Sequence, residues 1–427
     1  MGNIMSKITS LTKNLTELAT HSACRFCAGA LTHSLCDLGM SPPSNRYLRP
    51  EQLKEMEPFY PLHAYVCDQC WLVQLEQFHS PEEIFANDYA YFSSFSESWL
   101  AHCKNYCEQM QKTYAIGKNS LVIEIASNDG YLLQNFVRAG IPALGIEPAA
   151  NVAKTAIEKG VPTRVEFFGT ACAKKLVAEG KQADLLLGNN VLAHVPDLND
   201  FVMGLRMLLK PDGVITFEFP HLLKLMQENQ FDTIYHEHFC YFSLLSINTV
   251  FAHHGLTIFD VEQLPTHGGS LRIHACHTGR RKAGGAVDAV MSAEKSYGLD
   301  TIAAYDKFAE QVRETKRKLL EFLIAAKRAG KKIVGYGAAA KGNTLLNYCG
   351  VRSDFIDYVV DLNPHKQNML LPGTHIPIHS PEKIKQTKPD YVLILPWNIR
   401  DEVKKQHGYI AEWGGQFVVP IPEVKVF

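Results

Sequence analysis

The sequence lacks the features that mark a membrane protein, a secreted protein or a nucleic-acid-binding protein. No apolar run reaches the roughly 18 residues that span a bilayer, and no signal-peptide pattern opens the chain. Positive charge is not in excess either, because 43 Lys and Arg residues are balanced by 44 Asp and Glu residues. We therefore expect a soluble, cytoplasmic protein that binds small molecules rather than membranes or nucleic acid.

The cysteines number eleven, an odd count that gives no complete disulfide framework, and four of them form two CxxC pairs. The pairs are Cys24 with Cys27 and Cys67 with Cys70. Two such pairs supply the four corners of a tetrahedral zinc site and leave no open position, so the spacing predicts a structural zinc ion. A redox dithiol, buried free cysteines and a nucleic-acid-binding zinc module are the alternatives. The neutral net charge argues against the last of these.

The glycine-rich fingerprint of dinucleotide-binding folds is depleted in the first predicted βαβ unit. Residues 121–130, LVIEIASNDG, predict a buried parallel strand and a turn, and a short helix and a second strand follow. Ala126 and Asn128 stand where two glycines of the fingerprint would be. S-adenosylmethionine (SAM), which has no phosphate, therefore suits this turn better than a dinucleotide.

Polar residues follow the two strands of that unit. We expect Ser127, Asn128 and Asp129 to cap the helix, and Gly130 to let the backbone approach a ligand. Glu147 ends the second strand, where a carboxylate suits ribose hydroxyls. The unit thus predicts a nucleoside site at the carboxyl ends of its strands.

A second strand–glycine turn–helix pattern lies at residues 331–348. Its turn contains Gly335, Gly337 and Gly342, together with Lys341. Backbone amides at a helix start and a lysine suit a nucleotide diphosphate, although the glycine spacing matches neither the dinucleotide fingerprint nor a P-loop. A plain glycine turn is the alternative.

Residues 235–243, YHEHFCYFS, place a phenol, two imidazoles and a carboxylate in four consecutive positions. Removal of a proton next to a carbonyl needs a base with a pKa near neutral and hydrogen-bond donors that face the developing enolate. A polar loop with neighbouring histidines is the alternative, and the run alone does not decide between the two. His194 follows another predicted strand, where a lone histidine is more often a core-edge residue.

Taken together, these motifs resemble those of the sugar C-methyltransferases that act on nucleotide-linked keto-deoxysugars, the group that includes the mycarose and kijanose 3-C-methyltransferases. The resemblance covers nearly the whole chain. Besides the paired CxxC motifs, it is carried in order by DYAYFSSFSESW, EIASNDGYLL, GIEPA, NVLAHVPD, FDTIYHEHFCYFS, HGGSLR, GYGAAAKGNTLLNY, LPWN and VVPIPE. There are two departures from the family pattern. One is the tail before Cys24, and the other is Ala126, which replaces a glycine that many relatives carry.

The resemblance implies an α/β protein with three domains. These would be an N-terminal zinc-binding domain, a central Rossmann-like class I SAM-dependent methyltransferase domain and a second, C-terminal Rossmann-like domain that holds the sugar nucleotide. At 427 residues the chain is long enough for them. The expected boundaries are a tail at 1–20, then domains at 21–85, 86–265 and 266–427.

The resemblance also implies an activity, in which a base removes the proton beside a 4-keto group and the resulting enolate takes the methyl group of SAM, most simply at C3. His238 would be the base, Tyr235 and His194 would bind or polarise substrate oxygens, and Glu237 would orient an imidazole. Tyr89, or alternatively Tyr91, would close the site near the sulfonium. The residues expected to hold SAM are Glu124, Ser127, Asn128, Asp129, Gly130, Glu147 and Asn190. Lys341 and its glycine turn would hold the diphosphate.

Three other functions remain to be weighed. An O- or N-methyltransferase would form no enolate, and four ionisable or phenolic groups around one site would exceed its needs. An inactive sugar-nucleotide-binding protein should have lost Tyr235, Glu237 or His238, which this chain retains. A nicotinamide-dependent dehydrogenase is disfavoured by the missing glycines after the first strand.

Overall fold

The computed structural model describes residues 23–80, 83 and 92–427, and the strands of this part of the chain form three sheets. Tyr89 and Tyr91 lie outside the described residues. Within the described ranges, the helices are too short or too polar to cross a bilayer. Each sheet belongs mainly to one of the three predicted regions. One strand of the central region, Cys240–Tyr241, instead joins the first sheet.

The first sheet is small and antiparallel, with strand order β1-β2-β3-β9. Its first three strands come from the predicted zinc-binding domain at 21–85, which we call the cysteine-rich region. They are β1 (His33–Ser41), β2 (Tyr60–Val66) and β3 (Val73–Leu75). The fourth, β9 (Cys240–Tyr241), comes from far along the chain and pairs with β3. We call residues 233–239, which run directly into β9, the histidine loop. This loop therefore enters the sheet of the cysteine-rich region.

The second sheet has seven strands in the order β10-β11-β8-β7-β4-β5-β6, and β8 to β6 run parallel. Every residue of β4 is buried, as expected for a parallel strand covered by helices on both faces. The strands are β4 (Val122–Ile125), β5 (Ala143–Ile146), β6 (Thr163–Arg164), β7 (Ala183–Asn189), β8 (Leu209–Pro220), β10 (Leu256–Leu264) and β11 (Ser270–His277). The accompanying helices are α1 (Glu97–Thr113), α2 (Leu133–Arg138), α3 (Ala150–Glu158), α4 (Thr170–Ala178), α5 (Leu198–Leu208), α6 (Leu222–Gln227), α7 (Leu244–His253) and α8 (Gly285–Tyr297).

The antiparallel hairpin of β10 and β11 contains the boundary that the sequence predicted at 265/266. Strand β11 also pairs with β8, so the second sheet extends to His277. The hydrogen bonds of β11 thus join the edge of the second sheet.

The third sheet follows two connecting helices, α9 (Ile302–Asp306) and α10 (Phe308–Arg328). Its strand order is β14-β13-β12-β15-β16-β17, parallel except for the last strand. The strands are β12 (Ile333–Tyr336), β13 (Val359–Val360), β14 (Ile378–His379), β15 (Tyr391–Ile394), β16 (Gln416–Val419) and β17 (Lys425–Val426). Its helices are α11 (Ala340–Cys349), α12 (Glu382–Thr387) and α13 (Arg400–His407).

Short 3-10 helices connect many of these elements and place residues at the strand ends. They cover Pro50–Lys54, Ser93–Phe95, Leu192–His194, Phe231–Thr233, Thr266–Gly268, Trp397–Ile399 and Gly408–Trp413. Four of them, beginning at residues 192, 231, 266 and 397, carry side chains of the site described below.

A buried ion pair joins neighbouring strands of the second sheet. Arg272 on β11 donates to the carboxylate of Glu218 on β8 at 2.8 Å, and the two side chains are 3% and 0% exposed. Glu218 also accepts from Thr266 at 2.8 Å. The pair therefore holds the turn at residues 266–269, in which Gly268 and Gly269 adopt φ angles of +87° and +114° that favour glycine.

Replacing Arg272 should destabilise the second sheet, because Arg272→Met leaves the buried Glu218 carboxylate without its guanidinium partner. Loss of one partner of a buried pair costs about 3–5 kcal/mol. We expect the urea midpoint, followed by tryptophan fluorescence, to fall accordingly. Arg280→Met is the matched control, since Arg280 pairs with Asp212 at the surface and its loss should leave the midpoint nearly unchanged. Equal midpoints for the two variants would contradict this account.

Candidate active site

A tyrosine–histidine pair lies at the centre of the histidine loop. His238 Nδ1 donates to the main-chain carbonyl of Thr233 at 2.9 Å. A carbonyl can only accept, so this bond places the proton of the neutral ring on Nδ1. Nε2 then carries the lone pair, and the Tyr235 hydroxyl donates to it at 2.7 Å. The pair thus presents a base whose tautomer is fixed by the backbone.

His194 lies beside this pair, with its ring centroid 4.7 Å from that of His238. Its Nδ1 donates to the main-chain carbonyl of Glu237 at 2.7 Å. Burial lowers the pKa of His194 to about 4. Burial, followed by the neighbouring His194, holds the pKa of His238 well below its ordinary value. Both imidazoles are therefore neutral near pH 7.

The remaining two residues of the YHEH run face away from this pair. His236 lies among the aromatic rings of the cysteine-rich region, where its Nε2 donates to the carbonyl of Pro61 at 3.1 Å. The Glu237 carboxylate accepts from Asn45 of the same region. The prediction that Glu237 orients an imidazole has a structural counterpart in its main-chain carbonyl, which binds His194.

Lys341 brings a cation from the C-terminal domain to the histidine loop. Its ammonium donates to Asn398 Oδ1 at 2.8 Å and lies 4.5 Å from the centre of the Trp397 ring. Trp397 Nε1 in turn donates to Asp232, which immediately precedes the histidine loop, at 2.8 Å. Burial lowers the pKa of Lys341, and its charge contributes to the low pKa of His238. The ammonium therefore lies close enough to stabilise negative charge near the imidazoles.

The glycines around Lys341 allow close packing within the C-terminal domain. A Cβ atom at Gly337, where φ is +87°, would lie 2.5 Å from Pro396, and one at Gly342 would lie 2.8 Å from Leu395. A Cβ atom at Gly335 would lie 2.7 Å from Val359. Packing thus accounts for all three glycines, as a plain glycine turn would, and their role in diphosphate binding stays a prediction.

The predicted SAM residues gather at the carboxyl ends of β4, β5 and β7. The Glu147 carboxylate accepts from the amides of Asn128 and Ala149 at 2.9 and 2.8 Å, and burial raises its pKa to about 7. Asn128 Oδ1 accepts from the amide of Ser93 at 2.9 Å. The segment that follows Tyr89 and Tyr91 in the chain therefore contacts the SAM turn.

Outside β4, three oxygen atoms of this region are buried and have no hydrogen-bond partner within the described part of the chain: Ser127 Oγ, Asp129 Oδ1 and Asn190 Oδ1. Buried polar atoms normally have a hydrogen-bond partner, so these three oxygen atoms are candidate contacts for a polar ligand. Asn190 Nδ2 also lies 3.1 Å from His267 Nε2. Unsatisfied acceptors and the carboxylate of Glu147 match the amine and ribose hydroxyls of SAM, and the residues fit this cofactor.

The prediction that Ser127, Asn128 and Asp129 cap the following helix is wrong. Helix α2 begins only at Leu133 and has no side-chain cap. Two of the three polar side chains have other partners: Asn128 binds Ser93, and Asp129 pairs with Lys159 at 3.1 Å. Gly130, with φ of +77°, makes the left-handed turn that delays the helix.

Glu124 lies inside β4, where it is fully buried beside the hydroxyl of Tyr131. Burial raises its pKa well above the ordinary value. A direct contact between Glu124 and SAM stays a prediction. The placement of Tyr89 stays one too, because that residue lies outside the described ranges.

The four predicted zinc ligands converge on one point. Their sulfur atoms all lie within 4.8 Å of one another, with Cys24 and Cys70 3.6 Å apart and Cys27 and Cys67 3.4 Å apart. Tetrahedral Zn–S bonds of about 2.3 Å require sulfur atoms roughly 3.8 Å apart, so the cluster fits zinc with little adjustment. Gln74 of β3 donates to Cys24 Sγ at 3.2 Å. Such second contacts orient metal ligands.

Sequence analysis missed several residues that the fold brings to this site, among them Asn45, Asp232, His267, Trp397 and Asn398. All of them except Asn45 lie in segments that carried the family resemblance, FDTIYHEH, HGGSLR and LPWN, but no spacing rule links residues so distant in the chain. The contact of Asn45 with Glu237 spans 192 positions.

Comparison with known proteins agrees with this division of the chain. A family model described as a putative zinc binding domain matches residues 24–85. Models described as a methyltransferase domain and as a C-methyltransferase C-terminal domain match residues 101–261 and 265–422. All three regions of the protein are therefore covered by models of one kind of enzyme.

The chain is also similar to individual proteins. C-methyltransferase NovU of Streptomyces niveus is 35% identical over 407 residues, which cover 94% of this chain and 96% of that protein. A ubiquinone biosynthesis O-methyltransferase of Bartonella tribocorum is 28% identical over 98 residues, 23% of this chain and 40% of that protein. Magnesium protoporphyrin IX methyltransferase (ChlM) from Synechocystis PCC 6803, solved with bound SAM, is 14% identical, with a TM-score of 0.33 over 42% of this chain and 79% of that chain.

The fold and the site define a SAM-dependent methyltransferase with an added cysteine-rich domain. The match over nearly the whole of both chains is more specific. This protein belongs to the C-methyltransferase family, and its methyl acceptor is a carbon atom.

Loss of one zinc ligand should remove the metal and loosen the first sheet. We expect Cys67→Ser to lower bound zinc from about one ion per chain to near zero and to lower the unfolding temperature, because structural zinc contributes directly to folding. Metal content by plasma emission spectrometry and a thermal melt measure the two effects. Cys349→Ser, at a buried cysteine outside the cluster, is the control and should keep its zinc. Full zinc content in the Cys67 variant would contradict the site.

Proposed function

We propose that the protein methylates the carbon next to the 4-keto group of a nucleotide-linked deoxysugar, at C3, through an enolate. The observation that carries this proposal is the His238–Tyr235 pair, whose neutral imidazole has its lone pair on Nε2 and its other nitrogen held by a carbonyl. A carbon acid beside a ketone requires such a base. Methylation of an oxygen or nitrogen atom does not require the enolate donors described next.

The surroundings of the pair favour an enolate over a neutral ketone. Proton transfer from the substrate carbon to His238 Nε2 moves the electron pair onto the keto oxygen and leaves an imidazolium beside an enolate. The Tyr235 hydroxyl, freed from Nε2, can then donate to that oxygen. The ammonium of Lys341 contributes positive charge to the same region. Burial strengthens each of these electrostatic interactions.

SAM supplies an electrophilic methyl group bound to a sulfonium, and the acceptor carbon must lie in line with it. The protein's own contribution is to hold the two reactants at the junction of its domains. Asn190, at the end of β7, contacts His267, and a Cβ atom on the next residue, Gly268, would lie 2.5 Å from Trp397. The turn at residues 266–269 thus lies between Asn190, a predicted SAM residue, and Trp397, which contacts Lys341. We propose that Tyr89, or alternatively Tyr91, closes the site near the sulfonium.

The nucleotide part of the substrate is proposed to bind the C-terminal domain, with Lys341 near the diphosphate. The position of Lys341 beside Trp397 is also compatible with a contact between its ammonium and the keto oxygen. Lys341 and Trp397 follow the parallel strands β12 and β15, at the carboxyl ends where open α/β sheets bind ligands.

The base assignment is tested with His238→Asn in deuterated water, using SAM and a nucleotide-linked 4-keto-6-deoxyhexose. We expect both deuterium entry into the sugar and C-methyl product to fall by roughly 100-fold or more, the usual contribution of a general base. Tyr235→Phe should reduce both by a smaller factor, since the imidazole remains. Mass spectrometry of the sugar nucleotide measures the two quantities separately.

His236→Asn is the matched control, because that imidazole lies two positions away and faces the cysteine-rich region. It should keep turnover within a few-fold of the wild type. Wild-type rates of deuterium entry in His238→Asn would exclude His238 as the base. A methylated product that keeps the hydrogens of both carbons next to the keto group, across a panel of keto-sugars, would exclude the enolate.

A further inference from the structure

A contact between the cysteine-rich region and the histidine loop is unexplained by zinc binding or by the proposed chemistry. Asn45 Nδ2 donates to both carboxylate oxygens of Glu237, at 2.9 and 2.7 Å. Glu237 is only 5% exposed. A carboxylate buried to this extent is costly unless it is hydrogen-bonded, so the bond to Asn45 largely determines where the Glu237 side chain lies.

The main chain of Glu237 connects that contact to the imidazoles. Its carbonyl accepts from His194 Nδ1 at 2.7 Å, and the amide of Phe239 donates to the carbonyl of Ala193 at 2.6 Å. The peptide that follows Glu237 is also that of His238. Fixing the Glu237 side chain therefore fixes the peptide that orients both His194 and His238.

Asn45 is itself held firmly. The preceding carbonyl, that of Ser44, accepts from Asn343 Nδ2 at 2.6 Å, and the Tyr47 hydroxyl donates to the carbonyl of Ala338 at 2.5 Å. Both partners belong to the C-terminal domain, at the start of α11 and the turn before it. The segment 44–47 is thus braced against one domain while Asn45 reaches the loop of another.

We propose that Asn45 is a positioning residue that holds the Glu237 carboxylate, so that Glu237 orients His194 and His238 through its main chain and does not act as an acid or base on the substrate. The inference rests on the proposed function, because His238 is the base of that reaction. It assigns the cysteine-rich region a part in aligning the base, in addition to binding zinc.

The charges around Glu237 give the pair a dependence on pH. Burial raises the pKa of Glu237 to about 7, while the bond to Asn45 and the ammonium of Lys366 lower it. Tyr47 and Asp361 are the other ionisable groups of this cluster. Burial raises the pKa of Tyr47, and the negative charges of Asp361 and Glu237 raise it further. An amide N–H binds the ionised carboxylate best, so the pair should hold above about pH 7 and weaken as the pH falls through that value.

Two substitutions of Asn45 should shift the pH profile of kcat in opposite directions. In Asn45→Ala the carboxylate loses its donor, its pKa rises further, and we expect kcat to fall about tenfold with the acidic limb moved to higher pH. In Asn45→Asp two carboxylates face each other, so activity should instead fall as the pH rises. The affinity for SAM should stay unchanged in both. A purely structural defect would lower activity without this reversal.

The double substitution Asn45→Asp with Glu237→Gln exchanges donor and acceptor across the same contact. We expect it to restore kcat to within a few-fold of the wild type. If Glu237 were an acid or base of the reaction, the double variant would be no more active than Glu237→Gln alone, and the proposal would be overturned. Arg46→Ala, at an exposed neighbour of Asn45, is the control for the loop.

Hydrogen–deuterium exchange of the peptide that covers residues 233–239 tests the positioning without any substrate. It should speed up in Asn45→Ala and not in Arg46→Ala. Unchanged exchange would overturn the proposal even if the enzyme is active. If the wild type makes no C-methylated sugar but the exchange responds as expected, the proposed function fails and the positioning role stands.

Discussion

The arrangement of the site depends on a short antiparallel pairing, that of β9 with β3. The pairing joins Cys240 to Gln74 and Tyr241 to Val73, and the amide of Leu75 donates to the carbonyl of Phe239 at 3.0 Å. It fixes the end of the histidine loop to the cysteine-rich region. Because Gln74 also donates to the zinc ligand Cys24, the metal site and the loop share one strand. Zinc binding and loop geometry are therefore parts of one structure.

The beginning of the same loop is fixed from the opposite side. Asp232 accepts from Trp397, and Thr344 donates to the carbonyl of Ile234 at 3.0 Å, so the C-terminal domain holds the residues that precede Tyr235. The loop is thus anchored at both ends by domains other than the one that contributes it. Such anchoring suits a base that must meet a carbon atom, since carbon acids form weak hydrogen bonds and cannot align the base themselves.

Burial of the imidazoles follows from this anchoring and has a chemical consequence. His194 and His238 are neutral near pH 7 because the domains that hold the loop also exclude water. A neutral buried imidazole is a weak base in the empty site. In the proposed reaction, the negative charge of the enolate offsets that of the imidazolium formed beside it, and the Lys341 ammonium contributes positive charge near the enolate.

Local sequence patterns were enough to predict the four-cysteine cluster, the cofactor SAM and the two α/β units, because each depends on residues close together in the chain. CxxC spacing placed four sulfur atoms correctly, and the depleted glycine pattern after β4 indicated SAM. The patterns failed where distant residues meet. They did not reveal that β9 leaves its own domain, that β11 extends the second sheet, that α2 begins late, or that Asn45 binds Glu237.

The central claim, methyl transfer to a sugar carbon, is tested most directly with SAM labelled with ¹³C at its methyl group. Wild-type protein, SAM and the 4-keto-6-deoxyhexose nucleotide are incubated, and long-range carbon–proton correlations in the NMR spectrum of the product locate the labelled methyl. The account predicts a methyl bonded to the carbon next to the keto group, with correlations to both ring neighbours of that carbon. A labelled methyl with the shift and single correlation of a methoxy group would contradict it.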